Sequence, residues 1–195
     1  AAVPSGRVRE SGMPPREYWE TLVEPEGTLD RLGLLPGCGA RVVELGCGYG
    51  TFTVPAARRA AELLTFDLDP AMVELTRARA QEAGLGNVAG AVRDVVSEGY
   101  GLEPSSCDAV LLLNILHCEG PVAMLSQAAG LLRPGGRVLA THWRYDPRTP
   151  RGPPMHMRPR PEQLEEWAAC TGRLRTERGP VDCPPWHYGW AFSRL

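Results

Sequence analysis

The chain has 195 residues, a length that suits one domain with a single sizeable core. Hydrophobic residues are 43% and charged residues 23%, as in ordinary globular proteins, and the formal net charge of −2 gives no global drive toward nucleic acid or a membrane surface. No apolar run reaches the ~18 residues that span a bilayer, and because all 21 basic residues are arginine no lysine can act as a base or Schiff-base nucleophile. Residues 1–13 are small, polar and basic with no period, which predicts disorder. The start, Ala1 to Gly6, reads as a frayed end and not as a signal peptide. Six cysteines, Cys38, Cys47, Cys107, Cys118, Cys170 and Cys183, include no C-x-x-C pair. They read as reduced thiols of a cytoplasmic protein, and their spacing argues against zinc.

From Pro14 to Leu34 the pattern is helical. Tyr18, Trp19, Leu22 and Val23 form one apolar stripe, Pro25 breaks it, and Leu29, Leu32 and Leu35 resume it. Val42-Val43-x-Leu45 is a short apolar run of the kind that forms a buried strand. It breaks at Gly46, Gly48 and Gly50, and a helical pattern follows to about Ala60. Strand, glycine-rich turn and helix form the first unit of a nucleotide-binding α/β fold. The dinucleotide spacing G-x-G-x-x-G/A is not met, because Thr51 stands where the third small residue belongs. A carboxylate, Glu44, precedes the first glycine by two residues. It would repel a pyrophosphate and attract a cation.

The spacing E-x-G-x-G-x-G resembles the signature loop of the class I S-adenosylmethionine (SAM)-dependent methyltransferases, with the small-molecule, type 11/25-like domain as the nearer match. SAM carries a sulfonium and an ammonium and no phosphate. The resemblance implies that Glu44, Gly46, Cys47, Gly48 and Gly50 bind SAM, with S-adenosylhomocysteine as product. It also offers a second use for the N-terminal helices: Tyr18 and Trp19 either pack on the core or belong to a lid that touches substrate.

Glu62 to Phe66 is a second strand ending at Asp67, 21 residues after Gly46. A carboxylate at about that distance suits a pair of ribose hydroxyls. Asp69 and Pro70 read as N-cap and first residue of a helix that runs to Ala83 and stops at Gly84. Phe66 to Met72 resembles the second motif of the same family, which implies that Asp67 and Leu68 meet the cofactor. Asn87 to Val92 is a third strand. By resemblance Asp94 would bond the adenine amino group and the Val95 N–H a ring nitrogen. Residues 97–106 show no clear pattern.

Cys107 to Asn114 is the most apolar run, the mark of a central parallel strand. Asn114 and His117 follow at its carboxyl end, where ligands sit in open α/β sheets. Asn114 joins the implied cofactor set. His117 is a candidate base, or a residue that merely caps or packs. Pro121 to Leu132 is a helix, and Leu131 to Val138 resembles the L-[KR]-P-G-G turn that precedes the family's fifth strand, here Val138 to Ala140.

Residues 144–160 carry Arg144, Arg148, Arg151, Arg158 and Arg160 against one carboxylate, Asp146. Arginine's planar fork suits carboxylate or phosphate, so the segment predicts an acceptor bearing a negative group, with His142, Arg144 and Tyr145 as further substrate candidates. A solvated loop is the plain alternative. A helix over 162–170 and strands over 173–178 and 190–195 complete the chain. Cys183-Pro184-Pro185-Trp186 is a decoy for the [DNS]-P-P-[YFW] motif: it lies after the wrong strand and lacks the leading Asp, Asn or Ser. A metal site from His142, His156, His187 and Cys183 is disfavoured.

The expectation is one α/β domain over 1–195: a Rossmann-like, seven-stranded, mostly parallel sheet with helices on both faces and an antiparallel C-terminal hairpin. Within it, 14–35 is the helical extension, 40–141 the SAM-binding core, and 142–195 the acceptor side. The expected activity is SN2 methyl transfer to a small molecule, without nucleic acid, membrane or metal. An RNA or protein methyltransferase, a SAM-binding module without catalysis and a nicotinamide dehydrogenase are the alternatives; Glu44 and Thr51 disfavour the last.

Overall fold

The computed structural model describes residues 12–195. The frayed start and most of the disorder expected for 1–13 lie outside the described residues. Gly12 and Met13 are described, and both line a cavity.

Seven strands form one sheet: β1 (Arg41–Leu45), β2 (Glu62–Asp67), β3 (Val88–Val92), β4 (Cys107–Leu113), β5 (Leu132–Trp143), β6 (Leu174–Cys183) and β7 (His187–Arg194). Their order is β3-β2-β1-β4-β5-β7-β6. β1 pairs in parallel with both β2 and β4, so the chain reverses its direction of winding there. Only β7 runs antiparallel to its neighbours, β5 and β6. The crevice at such a switch point is where ligands bind in open sheets. The helices are α1 (Arg16–Thr21), α2 (Pro25–Leu32), α3 (Thr53–Arg59), α4 (Pro70–Glu82), α5 (Val95–Glu98), α6 (Pro121–Leu131) and α7 (Pro161–Cys170).

Alternate residues of a strand face opposite sides of the sheet. Val42, Leu111 and Leu139 join a core layer under α2 and α3, with Leu29, Leu32 and Ala56. Val43, Val110 and Val138 join the other layer, under α6 and α7, with Leu125 and Leu164. The near-continuous burial of β1 and β4 is therefore two cores read along one strand. Asp69 caps α4 by accepting from the Ala71 N–H at 2.8 Å, with Pro70 opening the helix. Asp108 fastens the starts of three strands: it accepts from the Arg41 N–H at 2.8 Å and from Arg133 Nη1 at 2.9 Å.

Several expected boundaries move. Leu132, expected to end the helix, and Arg133 to Gly136, expected as a turn, open β5: Leu132 pairs with Cys107, and regular pairing resumes at Arg137 opposite Ala109. Gly136 fits this irregularity because a Cβ would stand 2.9 Å from the Arg133 carbonyl oxygen. β6 runs on to Cys183 and β7 begins at His187, so the hairpin is longer than expected and Pro184 to Trp186 is its connection. Val23 makes a β-bridge with Pro185, docking the N-terminal extension on that connection. Arg59 reinforces the extension. Its guanidinium, 5% exposed, bonds the carboxylates of Glu26 and Asp30 and the carbonyls of Glu26 and Leu34.

Candidate functional site

A cavity of ≈ 720 Å³ opens at the carboxyl ends of β1 and β4. Glycines 46, 48 and 50 all have positive φ, at 83°, 51° and 75°, so the turn after β1 takes a path that residues with a Cβ rarely follow. Gly46 and Gly48 line the cavity, as do Glu44, Cys47, Asp67 and Asn114. Gly50 is turned the other way. A Cβ there would come within 3.0 Å of Thr76 Oγ1, so its role in this structure is close packing of the loop on α4.

Glu44 is 2% exposed. Its Oε1 accepts from the hydroxyls of Thr53 at 2.6 Å and Thr65 at 2.8 Å, while Oε2 is buried and has no partner among the described residues. Burial raises its carboxyl to about 7, against the pull of the two hydroxyls; the nearby Asp67 charge adds to the rise. Asn114 supplies a second acceptor of this kind. It ends β4 at φ 59°, a conformation asparagine tolerates, its N–H bonds the Thr141 carbonyl at 2.9 Å, and its Oδ1 is buried and unpartnered among the described residues. Asp67 takes the Gly48 N–H on Oδ2 and the Asp69 N–H on Oδ1, both at 3.0 Å. Each carboxylate oxygen has two acceptor sites, so one is free on Oδ1, and the second on Oδ2 meets only the weak thiol donor of Cys47 at 3.7 Å, which a ligand hydroxyl can replace. Cys47 has its thiol pushed up to about 12 by burial, which keeps it neutral and unsuited to covalent catalysis.

These groups fit SAM. Two buried orphan acceptors match an ammonium, Asp67 matches a ribose diol, and the cradle of Gly46 and Gly48 carries no side chain. Leu68 and Val95 are absent from the cavity lining. Leu68 is exposed, and Val95 is buried in the core layer under α6. Asp94 is also outside it. It caps α5, accepting from the Ser97 N–H at 3.3 Å.

The other half of the cavity is walled by aromatic, aliphatic and proline side chains, including Trp19, Trp143, Ile115, Pro153 and Met157. Trp19 and Trp143 meet edge to face at 6.2 Å. His187 lies against Trp143 at 4.3 Å, and burial pushes it down to about 3. Trp143, Phe52 and Met157 are lining residues that the sequence did not single out, and Thr51 was read only against a dinucleotide. Thr51 and Phe52 come with the glycine loop they follow, whereas Trp143 and Met157 depend on where β5 and the 150–157 segment lead, which no local motif signals. Tyr18 is 42% exposed and off the lining, so of the helical pair only Trp19 reaches the cavity.

His117 lines the cavity, and its Nδ1 lies 3.0 Å from Nε2 of the fully buried His142. Of the five arginines, only Arg151 lines the cavity, its Nη2 bonding the Gly12 carbonyl at 2.9 Å. Arg144 pairs with Asp182 and Arg148 with Asp146. Arg160 stands over the Tyr145 ring at 3.9 Å. Arg158 is buried and binds the carbonyls of Arg144, Asp146 and Pro153 and the Thr149 hydroxyl, clasping the segment together. Among the described residues no group of three or more His, Cys, Asp or Glu could hold a metal ion, and no helix is long and apolar enough to cross a membrane.

Comparison with known proteins agrees with this geometry. Residues 42–136 match the family model described as "Methyltransferase domain". A "Ubiquinone biosynthesis O-methyltransferase" from Xylella fastidiosa (strain 9a5c) is 32% identical over 110 residues, which are 55% of this chain and 43% of that relative. The matched stretch is thus less than half the length of the curated relative. Among solved structures, a SAM-dependent methyltransferase from Aquifex aeolicus superposes with TM-score 0.79 at 18% identity, covering 100% of both chains. A geranyl diphosphate methyltransferase in complex with SAM reaches 0.72 at 19%, over 88% of this chain and 84% of that one. The glycine loop with Glu44, the strand order and the domain match converge: residues 42–136 match a methyltransferase domain, and the fold is the one seen in solved SAM-dependent methyltransferases.

Proposed function

We propose that this protein transfers the methyl group of SAM to a small-molecule acceptor. The observation that carries the reading is the pair of buried, unpartnered acceptors, Glu44 Oε2 and Asn114 Oδ1, at the rim of a side-chain-free glycine cradle. Bound SAM supplies a methyl carbon already activated by its sulfonium. Glu44 and Asn114 hold the ammonium, and Asp67 holds the ribose hydroxyls. Trp19, Trp143 and Met157 give the acceptor an apolar, partly aromatic wall that excludes water. Alignment of this kind is worth ~7–11 kcal/mol of barrier.

The relative's name supports oxygen as the methylated atom. An anionic group on the acceptor has one candidate holder, Arg151, because the other four arginines are engaged elsewhere. The N-terminal helices act as a lid. Glu20 bonds Arg79 at 2.9 Å and Thr51 at 3.1 Å, and the Tyr49 hydroxyl bonds the Pro14 carbonyl at 2.7 Å, so the extension is tied to the loop that would carry the cofactor. A cytoplasmic location goes with this reading and is supported by six free cysteines.

Titration calorimetry with SAM, S-adenosylhomocysteine and NAD tests the cofactor. Radiolabelled SAM incubated with the protein and a metabolite pool tests the transfer. Binding of SAM with a labelled small-molecule product is expected. NAD binding in place of SAM overturns the cofactor assignment, and SAM binding with no product reduces the protein to a binding module.

A further inference from the structure

His117 and His142 stand 25 residues apart in sequence, yet their rings meet. His142 has no exposure, and its Nδ1 lies 3.4 Å from the Trp143 carbonyl oxygen. A carbonyl only accepts, so that nitrogen carries the proton. With desolvation by burial as the main cause and the neighbouring His117 next, His142 is held well below the usual histidine range and is neutral at pH 7. Its Nε2 is then a bare acceptor. The contact at 3.0 Å therefore requires His117 to donate from Nδ1. A neutral His117 with its proton on Nδ1 has its lone pair on Nε2. His117 is neutral too, because burial and then the Arg158 guanidinium lower its affinity for a proton. Among the described residues no hydrogen bond falls on that Nε2, and His117 lines the cavity beside Ile115 and Asn114.

We infer that His117 is the general base of the transfer and that His142 is a positioning residue, which fixes the tautomer that points the lone pair of His117 into the acceptor pocket. The inference rests on the methyltransferase reading and narrows it to acceptors that carry a dissociable hydroxyl proton. The acceptor's O–H proton passes to His117 Nε2. The oxygen lone pair so released forms the bond to the methyl carbon, and the C–S bonding pair leaves on sulfur. The imidazolium that results keeps its Nδ1–H bond to His142 and then loses the Nε2 proton to water. Without His142, imidazole is free to place its proton on Nε2 and offer the acceptor a donor instead of a base.

The relay is tested on the free protein by two-bond ¹H–¹⁵N correlation spectra of ¹⁵N-histidine-labelled samples at pH 7.5, with His117→Gln to assign the signals. The expected result is Nδ1–H on both rings. An Nε2–H tautomer on His117 overturns the relay, and this result needs no acceptor and no measurement of turnover. Once a product is identified, His117→Gln should lower kcat by ~10²–10⁴-fold with SAM affinity within about twofold. His142→Phe removes the acceptor at similar bulk and should lower kcat, whereas His142→Gln, whose amide oxygen can replace Nε2, should restore most of it. Equal turnover of the His142→Phe variant and the parent overturns the positioning role. A parent that binds SAM and methylates nothing overturns the transfer and the base assignment, while the tautomer result stands on its own.

Discussion

Glu44 makes two opposite demands on the protein, and they can be separated by pH. In the free protein its carboxyl is raised to about 7, where a free glutamate has 4.5, chiefly because burial disfavours the charge. The folded state thus holds more protons than the unfolded state between those values. Stability falls on this account as pH rises from 4.5 to 7, and is level above. The integrated change between pH 5 and pH 8 is about 2.5 kcal/mol. Replacing Glu44 by Gln removes the titration. The unfolding free energy of Glu44→Gln relative to the parent should therefore improve by about 2.5 kcal/mol across that interval, whatever fixed cost the amide brings. SAM binding runs the other way, since an ammonium favours the ionised carboxylate. The parent's dissociation constant for SAM should weaken about eightfold from pH 7.5 to pH 6.0, approaching tenfold per unit below the carboxyl's own value. Binding at pH 7 should release about half a proton, visible as a buffer-dependent calorimetric heat. Urea melts of both proteins at the two pH values, with calorimetry at 6.0 and 7.5, give every quantity needed. A parent whose SAM affinity is the same at 6.0 and 7.5, or a Glu44→Gln variant that binds as tightly as the parent, would refute the ammonium contact.

Asp67→Ala should weaken SAM binding by ~1.5–3 kcal/mol, roughly 10- to 150-fold, because two charge-assisted contacts to the ribose are lost; calorimetry on the folded variant checks it. Arg59→Met should cost about 2–4 kcal/mol of unfolding free energy, read from the urea midpoint at unchanged slope. The carbonyls of Glu26 and Leu34 lose their donor, while the exposed carboxylates of Glu26 and Asp30 regain water and limit the loss. Hydrogen exchange across residues 14–35 should slow when S-adenosylhomocysteine is added; equal exchange with and without it leaves the extension as plain packing.

How much of this was legible depends on the range of the interaction involved. β1 and β4 were visible because both of their faces are buried, so apolarity is continuous and needs no partner to be read. The cap of α4 was visible because Asp69 and Pro70 act within one turn. β6 was underread because it is an edge strand: Arg175 to Pro180 face water, and the pairing with β7 shifts at Thr176 and again at Arg178. The arginine segment was misleading for a related reason. Composition shows five cations near a pocket, but partners on other elements, such as Asp182 on β6, decide which of them are free. Arg59 carried no signal at all, since its four contacts come from α2 and from Leu34 just after it, about thirty residues away.

The two halves of the cavity differ in the same way, and that difference bears on function. Its cofactor half comes from the ends of β1, β2 and β4 and from one turn, within a stretch of 71 residues from Glu44 to Asn114. Every element there is held by the parallel pairing of central strands, so the glycine cradle and its two orphan acceptors are fixed by the core itself. Apart from Ile115 after β4, the acceptor half draws on residues before β1, at the end of β5 and beyond it: Trp19, Trp143, Arg151 and Met157. None of these four lies within the stretch that matches the family model. Shared sequence therefore speaks for the cofactor, while the acceptor is set by segments that can change without disturbing the central strands. His117 lies where the two halves meet. It follows Asn114 at the end of β4, and its tautomer is governed by His142 on β5. A single side chain thus couples the rigid half to the variable one, and the protonation of that side chain is where a measurement on the acceptor chemistry should begin.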